Sequence, residues 1–405
     1  MLRSDMIVDL GPGAGTNGGE VVAQGTLTQI KNNPLSQTGR YLKNPMQHPL
    51  LGVRRSLKSI EWLQIVKADV NNLKDVTVKF PIGRLTAITG ISGSGKSTLM
   101  RAALRPAVEE ALNKKAKPSG KYPVVKGVEH LEAIYEVDQS PIGKSSRSIP
   151  ATYIKVFDEI RLHFAALPMS RMRGYTNSRF SFNTEGGRCE TCAGQGVIKM
   201  EMNFLPASYV PCEDCGGTRY NSQTREVEYN GQNIGDVMNM TIAQAAEFFS
   251  ASPKIHRTLH LLVDTGLGYL KLGQPSPTLS GGEAQRLKLV SELRLGAARD
   301  YTNKVRKMKT AKSTLYLLEE PTIGLHMADV EMLLGVIQRL VDVGHTVIVI
   351  EHNLNVIAEA DYIVDIGPEA GSGGGEVVAT GTPEEIAQSK TSRIAPYLKK
   401  TLRGR

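Results

Sequence analysis

No stretch of the 405-residue sequence approaches the roughly 20 consecutive apolar residues that a membrane span needs. The opening, "MLRSDMIVDLGPG", lacks an apolar run of signal-peptide type. A soluble, cytoplasmic protein is expected. Cysteine is scarce as well, with only four residues, all between Cys189 and Cys215. A secreted disulfide scaffold would spread its cysteines, so this cluster points to metal in a reducing compartment. With 40% apolar and 22% charged residues, wholesale disorder is excluded. Acidic charge falls short of basic charge, leaving a net +9 that suits a polyanionic partner without defining a site.

The chain is long enough for one large or two medium domains. Its most unusual feature is a repeat. "DMIVDLGPGAGTNGGEVVAQGT" from Asp5 returns 356 residues later as "DYIVDIGPEAGSGGGEVVATGT" from Asp361. The match runs without a gap from Asp5–Ile30 against Asp361–Ile386, and Tyr41-Leu42 falls in register with Tyr397-Leu398. A Pro/Asn-rich link follows the first copy. Beyond it, "VTVKFPIGRLTAITG" predicts a strand entering a glycine-rich loop and a helix from about Lys96. The segments "STLYLLEEP", "ADVEMLLGVIQRLVD" and "HTVIVIEHN" read as strand, amphipathic helix and strand. That alternation predicts an α/β fold with a mainly parallel, doubly covered sheet. Residues 155–250, rich in glycine and holding the cysteines, read as an insertion into it.

"GISGSGKST" has the spacing G-x-x-x-x-G-K-[ST] of a phosphate loop. Glycines let backbone N–H groups curl around phosphate oxygens at a helix N-terminus. Lys96 is placed to reach the β- and γ-phosphates and the Ser97 hydroxyl to ligate Mg²⁺. Four further stretches accompany the loop. "LYLLEEPTIGLH" ends a strand on Glu319 and Glu320, suited to supporting Mg²⁺ and orienting the attacking water. "VIVIEHN" ends another on His352. "LSGGEAQR" offers Ser280, Gly281 and Gly282 ahead of a helix, a second anion-binding nest, and "VDQSPIG" places Gln139 between the phosphate loop and that nest.

This set, in this order, resembles the ATP-binding-cassette family. The resemblance implies ATP and Mg²⁺ contacts from Gly90, Ser92, Gly93, Gly95, Lys96, Ser97, Thr98 and Glu319. It implies catalytic roles for Glu320, His352 and the Q-loop Gln139, and a signature of Ser280, Gly281, Gly282, Glu283 and Gln285 that completes a partner's ATP site. One position departs: the family normally has Asp where this chain has Glu319. The extra methylene moves the carboxylate by roughly an ångström at a metal that demands near-ideal geometry.

Cys189, Cys192, Cys212 and Cys215 are spaced C-x2-C-x19-C-x2-C. Two thiolate pairs on glycine-containing knuckles suit a closed, structural Zn²⁺ site. Arg171, Arg173, Arg179, Arg188, Lys199 and Arg219 lie around it as candidate DNA contacts. A zinc module between Q-loop and signature, with "FSFNTEGGRCETC" and "EEPTIGLH", is similar to the second cassette half of the UvrA family. The resemblance covers about residues 55–390. It implies an ABC-type P-loop ATPase domain with an inserted zinc module and a helical signature subdomain at about 255–295. It further implies ATP-dependent recognition of damaged duplex DNA in bacterial nucleotide excision repair, as a dimer. A UvrB-like partner is loaded and other subunits supply the nuclease. Residues 1–50 then read as the tail of a first ATPase half plus linker, and 51–405 as the second. The sequence has one phosphate loop and one signature, so a second cassette half, identical or separate, is the expected partner. The region through which UvrA engages UvrB has no counterpart in it. Residues 5–26 are expected to form a hairpin without its native sheet, with Ile7, Val8, Val21 and Val22 packed elsewhere or exposed. The alternative reading is a non-hydrolysing remnant, or a drug-resistance paralogue that binds ATP, zinc and DNA without repair.

Overall fold

The computed structural model describes residues 3–12, 18–44, 46, 50, 53–113, 119–138, 140–143, 145, 147–202, 205–292 and 312–403, with backbone alone for 201–202 and 205–208. The chain divides into two compact units. One comprises Met1–Asp9, Val21–Gln139 and Leu295–Arg405; the other comprises Leu10–Glu20 and Ser140–Arg294.

The first unit is built on a six-stranded sheet. Its order is Glu376–Gly381, Tyr362–Gly367, Leu85–Thr89, Thr346–Ile350, Ser313–Glu319, Leu131–Val137. Every neighbouring pair is parallel except the first, where Glu376–Gly381 runs antiparallel along an edge. The central strands Leu85–Thr89, Thr346–Ile350 and Tyr362–Gly367 are buried at every position. Parallel strands covered on both faces have no solvent side, so their sequences are unbroken apolar runs. The helix Met327–Asp342 buries Val330, Leu333, Leu334, Ile337, Leu340 and Val341, an apolar stripe at helical spacing. A three-stranded antiparallel sheet, Val76–Pro81, Trp62–Ala68 and Val124–Lys126, completes the unit. Leu63, Ile65 and Phe80 from it share one core with Leu99, Met100 and Leu104 and with Leu315 and Ile348 of the larger sheet. The helix after the phosphate loop is therefore part of that core. It opens as a wide π-helical stretch over Thr98–Leu104 and tightens into the α-helix Arg105–Leu112. Pro106 explains the widening, because its ring has no N–H and would crowd the carbonyl four residues back in an α-turn.

The N-terminal copy of the repeat forms a two-stranded sheet of its own, Ile7–Gly11 with Glu20–Gly25. Ile7 and Ala23 pack on Ile30, Leu27 and Leu42 in a small separate cluster. Val8 is 52% exposed and Leu10 67%, whereas their repeat counterparts Val364 and Ile366 are 0% and 1% exposed inside the large sheet. Nearly the same strand is thus an inner, covered strand of the large sheet in one copy and part of a wet two-stranded hairpin in the other, as expected for 5–26, of which 13–17 lie outside the described residues.

The second unit has one continuous core. Phe157, Ile160 and Phe164 of helix Val156–Ala165 meet Phe180, Phe182 and Tyr220, and Leu259 and Leu262 of helix Pro253–Asp264 join Leu287 and Val290. An antiparallel hairpin, Val197–Met202 with Leu205–Pro211, rises from the cysteine segment. Among the described residues no helix is long and apolar enough to cross a membrane.

Candidate nucleotide site and four-cysteine cluster

Strand Leu85–Thr89 delivers the chain to Gly90, whose φ of +136° and close approach to Ile366 both require glycine: an added Cβ would lie 2.0 Å from the Ile366 carbonyl oxygen. The helix begins at Lys96, as its spacing predicts. Lys96 is buried, and its Nζ donates to the carbonyl oxygens of Gly90 at 3.1 Å and Ile91 at 2.8 Å. The ammonium is thus held across the loop by the loop's own backbone. Burial pushes its pKa down from the ordinary lysine value, against the opposing pull of Glu320, Asp365 and Glu319. Ser92, Gly93 and Ser97 are exposed along the loop, and Thr98 is half-buried.

Two acidic residues close the other side. The Ser97 hydroxyl donates to the Glu319 carboxylate, whose second oxygen lies 2.6 Å from Arg101 Nη1. Arg101 also donates from Nε to Glu136 at 2.5 Å, and Arg105 pairs with the same carboxylate. Glu320 has a φ of +44°, a left-handed conformation costly for a side chain with a Cβ. Its N–H donates to the Ile350 carbonyl oxygen at 2.9 Å, and its Oε1 lies 3.5 Å from His352 Nε2. Lys96, Ser97, Glu319, Glu320 and His352 therefore follow the C-terminal ends of three adjacent parallel strands, the usual ligand position in open α/β sheets. Oxygen donors from Ser97 and Glu319 converging at one point are the hard ligand set that Mg²⁺ takes. Gln139 lies outside the described residues.

The signature segment belongs to the other unit. Ser280 caps the helix 281–292 in a reciprocal box: its N–H donates to Glu283 Oε2 at 2.7 Å, and Glu283 N–H donates to Ser280 Oγ at 3.3 Å. Tyr269 donates its hydroxyl to the other Glu283 oxygen. Ser280 is exposed, Gly281 and Gly282 are half-buried, and Gln285 is buried.

The four cysteines come together. Their sulfurs lie within 4.8 Å of one another, and all four residues are buried. Cys189 and Cys212 sulfurs are 3.9 Å apart, and those of Cys192 and Cys215 3.8 Å. These separations are far too long for a disulfide, and they match the edge of a tetrahedron with metal–sulfur bonds of about 2.3 Å, roughly 3.8 Å. Gly196 N–H donates to Cys192 Sγ at 3.2 Å, the outer-shell support a metal thiolate takes. Burial pushes the Cys192 thiol up to about 12, with Gly196 opposing and Cys215 adding to it. A dication supplies the charge that lets such thiols ionise. Gly194 makes the first knuckle, with φ +76° and room for no Cβ against the Phe182 carbonyl oxygen, 1.7 Å from where one would stand.

The basic candidates separate by environment. Arg171 and Lys199 are exposed. Arg173 pairs with Glu226 at 2.6 Å, and Arg188 with Glu185 at 3.2 Å and Glu190 at 3.0 Å. Arg179 lies over the Tyr175 ring and donates to Thr224 and Gln223. Arg219 is buried, stacked over Phe182 and donating to the Gly273 carbonyl oxygen at 2.8 Å, so its charge is spent inside the unit.

No family model matches the sequence. UvrABC system protein A of Streptococcus pyogenes serotype M1 is 53% identical over 399 residues, covering 98% of this chain and 41% of its own. The protein of the same name from Thermus thermophilus is 54% identical over 387 residues, covering 96% and 39%. The crystal structure of UvrA2 from Deinococcus radiodurans superposes with a TM-score of 0.86 at 45% identity, over 99% of this chain and 46% of that one. The chain belongs to the UvrA family. It has the α/β fold of an ATP-binding cassette carrying a four-cysteine cluster that fits zinc. It spans about two fifths of the length of the UvrA relatives it matches.

Several contacts in this UvrA-family site have no signature in the motifs. Arg101 bridges Glu319 and Glu136. Glu351 is buried beside His352 and accepts four hydrogen bonds. Its sequence signal is one acidic residue ending the apolar run "TVIVIE".

Proposed function

We propose that the chain is the ATP-binding and ATP-hydrolysing cassette of a damage-recognition ATPase of bacterial nucleotide excision repair, working in the cytoplasm on duplex DNA. Supporting this is the convergence of Lys96, Ser97, Glu319, Glu320 and His352 at one sheet edge in a chain of UvrA-family sequence. Lys96 leaves its loop carbonyls for the β- and γ-phosphates, whose negative charge favours the ammonium that burial disfavours. Ser97 and Glu319 would hold Mg²⁺, which neutralises charge on the phosphates when bound. Glu320 orients and deprotonates the attacking water, and His352, 3.5 Å away, contacts the γ-phosphate. Gln139 belongs to the same proposed site.

Ser280, Gly281, Gly282, Glu283 and Gln285 would complete the ATP site of a second cassette half, so the working form is a dimer of cassettes. The zinc-bound cluster supports the Val197–Pro211 hairpin and the exposed Arg171 and Lys199 as a DNA-facing element. A UvrB-like protein is the least supported partner, because the region through which UvrA engages UvrB has no counterpart in these residues. The test is ATP turnover with and without damaged duplex, set beside Glu320→Gln. Wild-type turnover no higher than that variant removes the hydrolytic role, and equal affinity for damaged and undamaged duplex, with or without ATP, removes the repair role. One observation favours a second reading, a cassette that binds ATP, zinc and DNA without productive turnover: Glu319 is engaged by both Ser97 and Arg101, at the position where Asp is usual.

A further inference from the structure

Glu351 directly follows the strand Thr346–Ile350 and is 2% exposed. No motif or proposed chemical step uses it. One carboxylate oxygen accepts the Thr322 N–H at 3.0 Å and the Thr322 hydroxyl at 2.7 Å. The other accepts the His352 N–H at 2.9 Å and the Asn353 N–H at 3.0 Å. Thr322 lies two residues after Glu320, and His352 follows Glu351 directly. A single buried carboxylate thus ties the turn leaving Glu320 to the turn carrying His352.

The tie has something to restrain. Glu320 sits at φ +44°, a conformation that a residue with a Cβ abandons unless its surroundings over-determine it. Beside the local Ile323 N–H bond to the Glu320 carbonyl oxygen at 3.2 Å, two restraints reach this turn from outside it: the Glu320 N–H bond to the Ile350 carbonyl oxygen, and the Thr322 bonds to Glu351. Both lead to the same neighbouring strand end. Four donors around one ionised carboxylate are strong, directional bonds, and a neutral side chain of the same shape cannot accept all four.

We propose that Glu351 is a positioning residue of the ATPase site, holding Glu320 in its left-handed conformation and at its distance from His352. This rests on the reading of Glu320 and His352 as the hydrolytic pair. With both oxygens engaged by Thr322, His352 and Asn353, Glu351 acts through those turns. Its influence is on the hydrolytic step and not on nucleotide affinity, because Lys96 and the phosphate loop are anchored by their own backbone.

Glu351→Gln keeps the shape but turns an NH₂ toward one pair of donors, opposing either Thr322 or His352 and Asn353. The full chain is assayed for ATP turnover and, separately, for affinity toward a fluorescent ATP analogue, with the thermal midpoint recorded. The expected result is a kcat roughly 10- to 100-fold lower, as for a displacement of about an ångström, with affinity within about twofold. Unchanged kcat, or a parallel loss of affinity and turnover, overturns the proposal. A second measurement stands apart from turnover: the crystal structure of Glu351→Gln, in which Glu320 leaves the left-handed region or separates from His352. If Glu320 keeps both, the proposal fails whatever the kinetics. Should wild type not turn over ATP, the functional reading fails, and this structure alone decides the positioning role.

Discussion

Thr38 Oγ1 lies 3.2 Å from His326 Nε2, joining the N-terminal copy of the repeat to the loop that begins at Glu320. Ala328 N–H donates to His326 Nδ1, so Nε2 carries the proton of a neutral ring and donates to Thr38. Thr38 in turn donates to Asp9 at 2.6 Å, and Ser36 donates to the other Asp9 oxygen at 2.5 Å. Tyr41 sets its ring edge-on to His326 at 5.8 Å and donates to Glu331 at 2.5 Å. The C-terminal copy has Ile394 in place of Thr38, and its Tyr397 is 64% exposed. Thr38 and Tyr41 thus dock the N-terminal segment on the first turns of the helix Met327–Asp342.

Replacing Thr38 with Val, which keeps the shape and removes the hydroxyl, should loosen residues 5–44 by about 1–2 kcal/mol. Amide hydrogen exchange would read this as roughly 5- to 30-fold faster opening of that segment, with exchange in the six-stranded sheet unchanged. Equal acceleration in both places would show that the segment is not a separate cooperative element.

Burial pushes the Glu359 carboxyl up to about 7, partly offset by Arg54 and Arg55. The folded state therefore prefers the neutral acid. Its contribution to stability is fully present below the unfolded carboxyl value, near 4.5, and is lost as pH rises toward 7. Glu359→Gln should stabilise the chain by on the order of 2 kcal/mol at pH 8 and by little at pH 4. Thermal midpoints at the two pH values check this, and a gain that is the same at both refutes it.

Glu319 reaches both Ser97 and Arg101. Glu319→Asp withdraws the carboxylate by a methylene, freeing room between it and Ser97 for a hydrated cation. The Mg²⁺ concentration for half-maximal turnover should fall severalfold. A magnesium titration that gives an equal or higher value contradicts the expectation.

The sulfur geometry predicts one tightly held zinc per chain. Metal analysis of purified protein should return about one equivalent, falling several-fold in Cys212→Ser, where one of four ligands becomes a poor one. Because the cluster and the phosphate loop are in separate units, stripping the metal with a chelator should unfold the cysteine segment while ATP-analogue affinity stays within about twofold. Retained metal in the variant would remove the four-thiolate site.

Much of the fold was legible in the chain because its signals are local. Unbroken apolar runs such as "TVIVI" marked covered parallel strands, and the stripe from Val330 to Val341 marked the helix over them. Other elements carried weaker local signals. "EVEYNG" contributes only the two-residue strand Glu228–Tyr229, since two residues pair there before the chain turns at Gly231. The widening of the helix at Thr98–Leu104 depended on Pro106, which sits eight residues beyond the loop motif.

By itself the sequence determined the phosphate loop, the cysteine spacing, the strand and helix pattern and the presence of two copies of one segment, because each is written in residues near one another. Tertiary structure decided which arginines remain outside, since Arg171 and Arg219 look alike in the chain and only packing puts one in water and the other under Phe182. It also decided the fate of the duplicated words: Val364 found a sheet to enter and Val8 did not. And it drew Glu351 to Thr322, 29 residues apart, a pairing set by two strands lying side by side and not by any spacing along the chain.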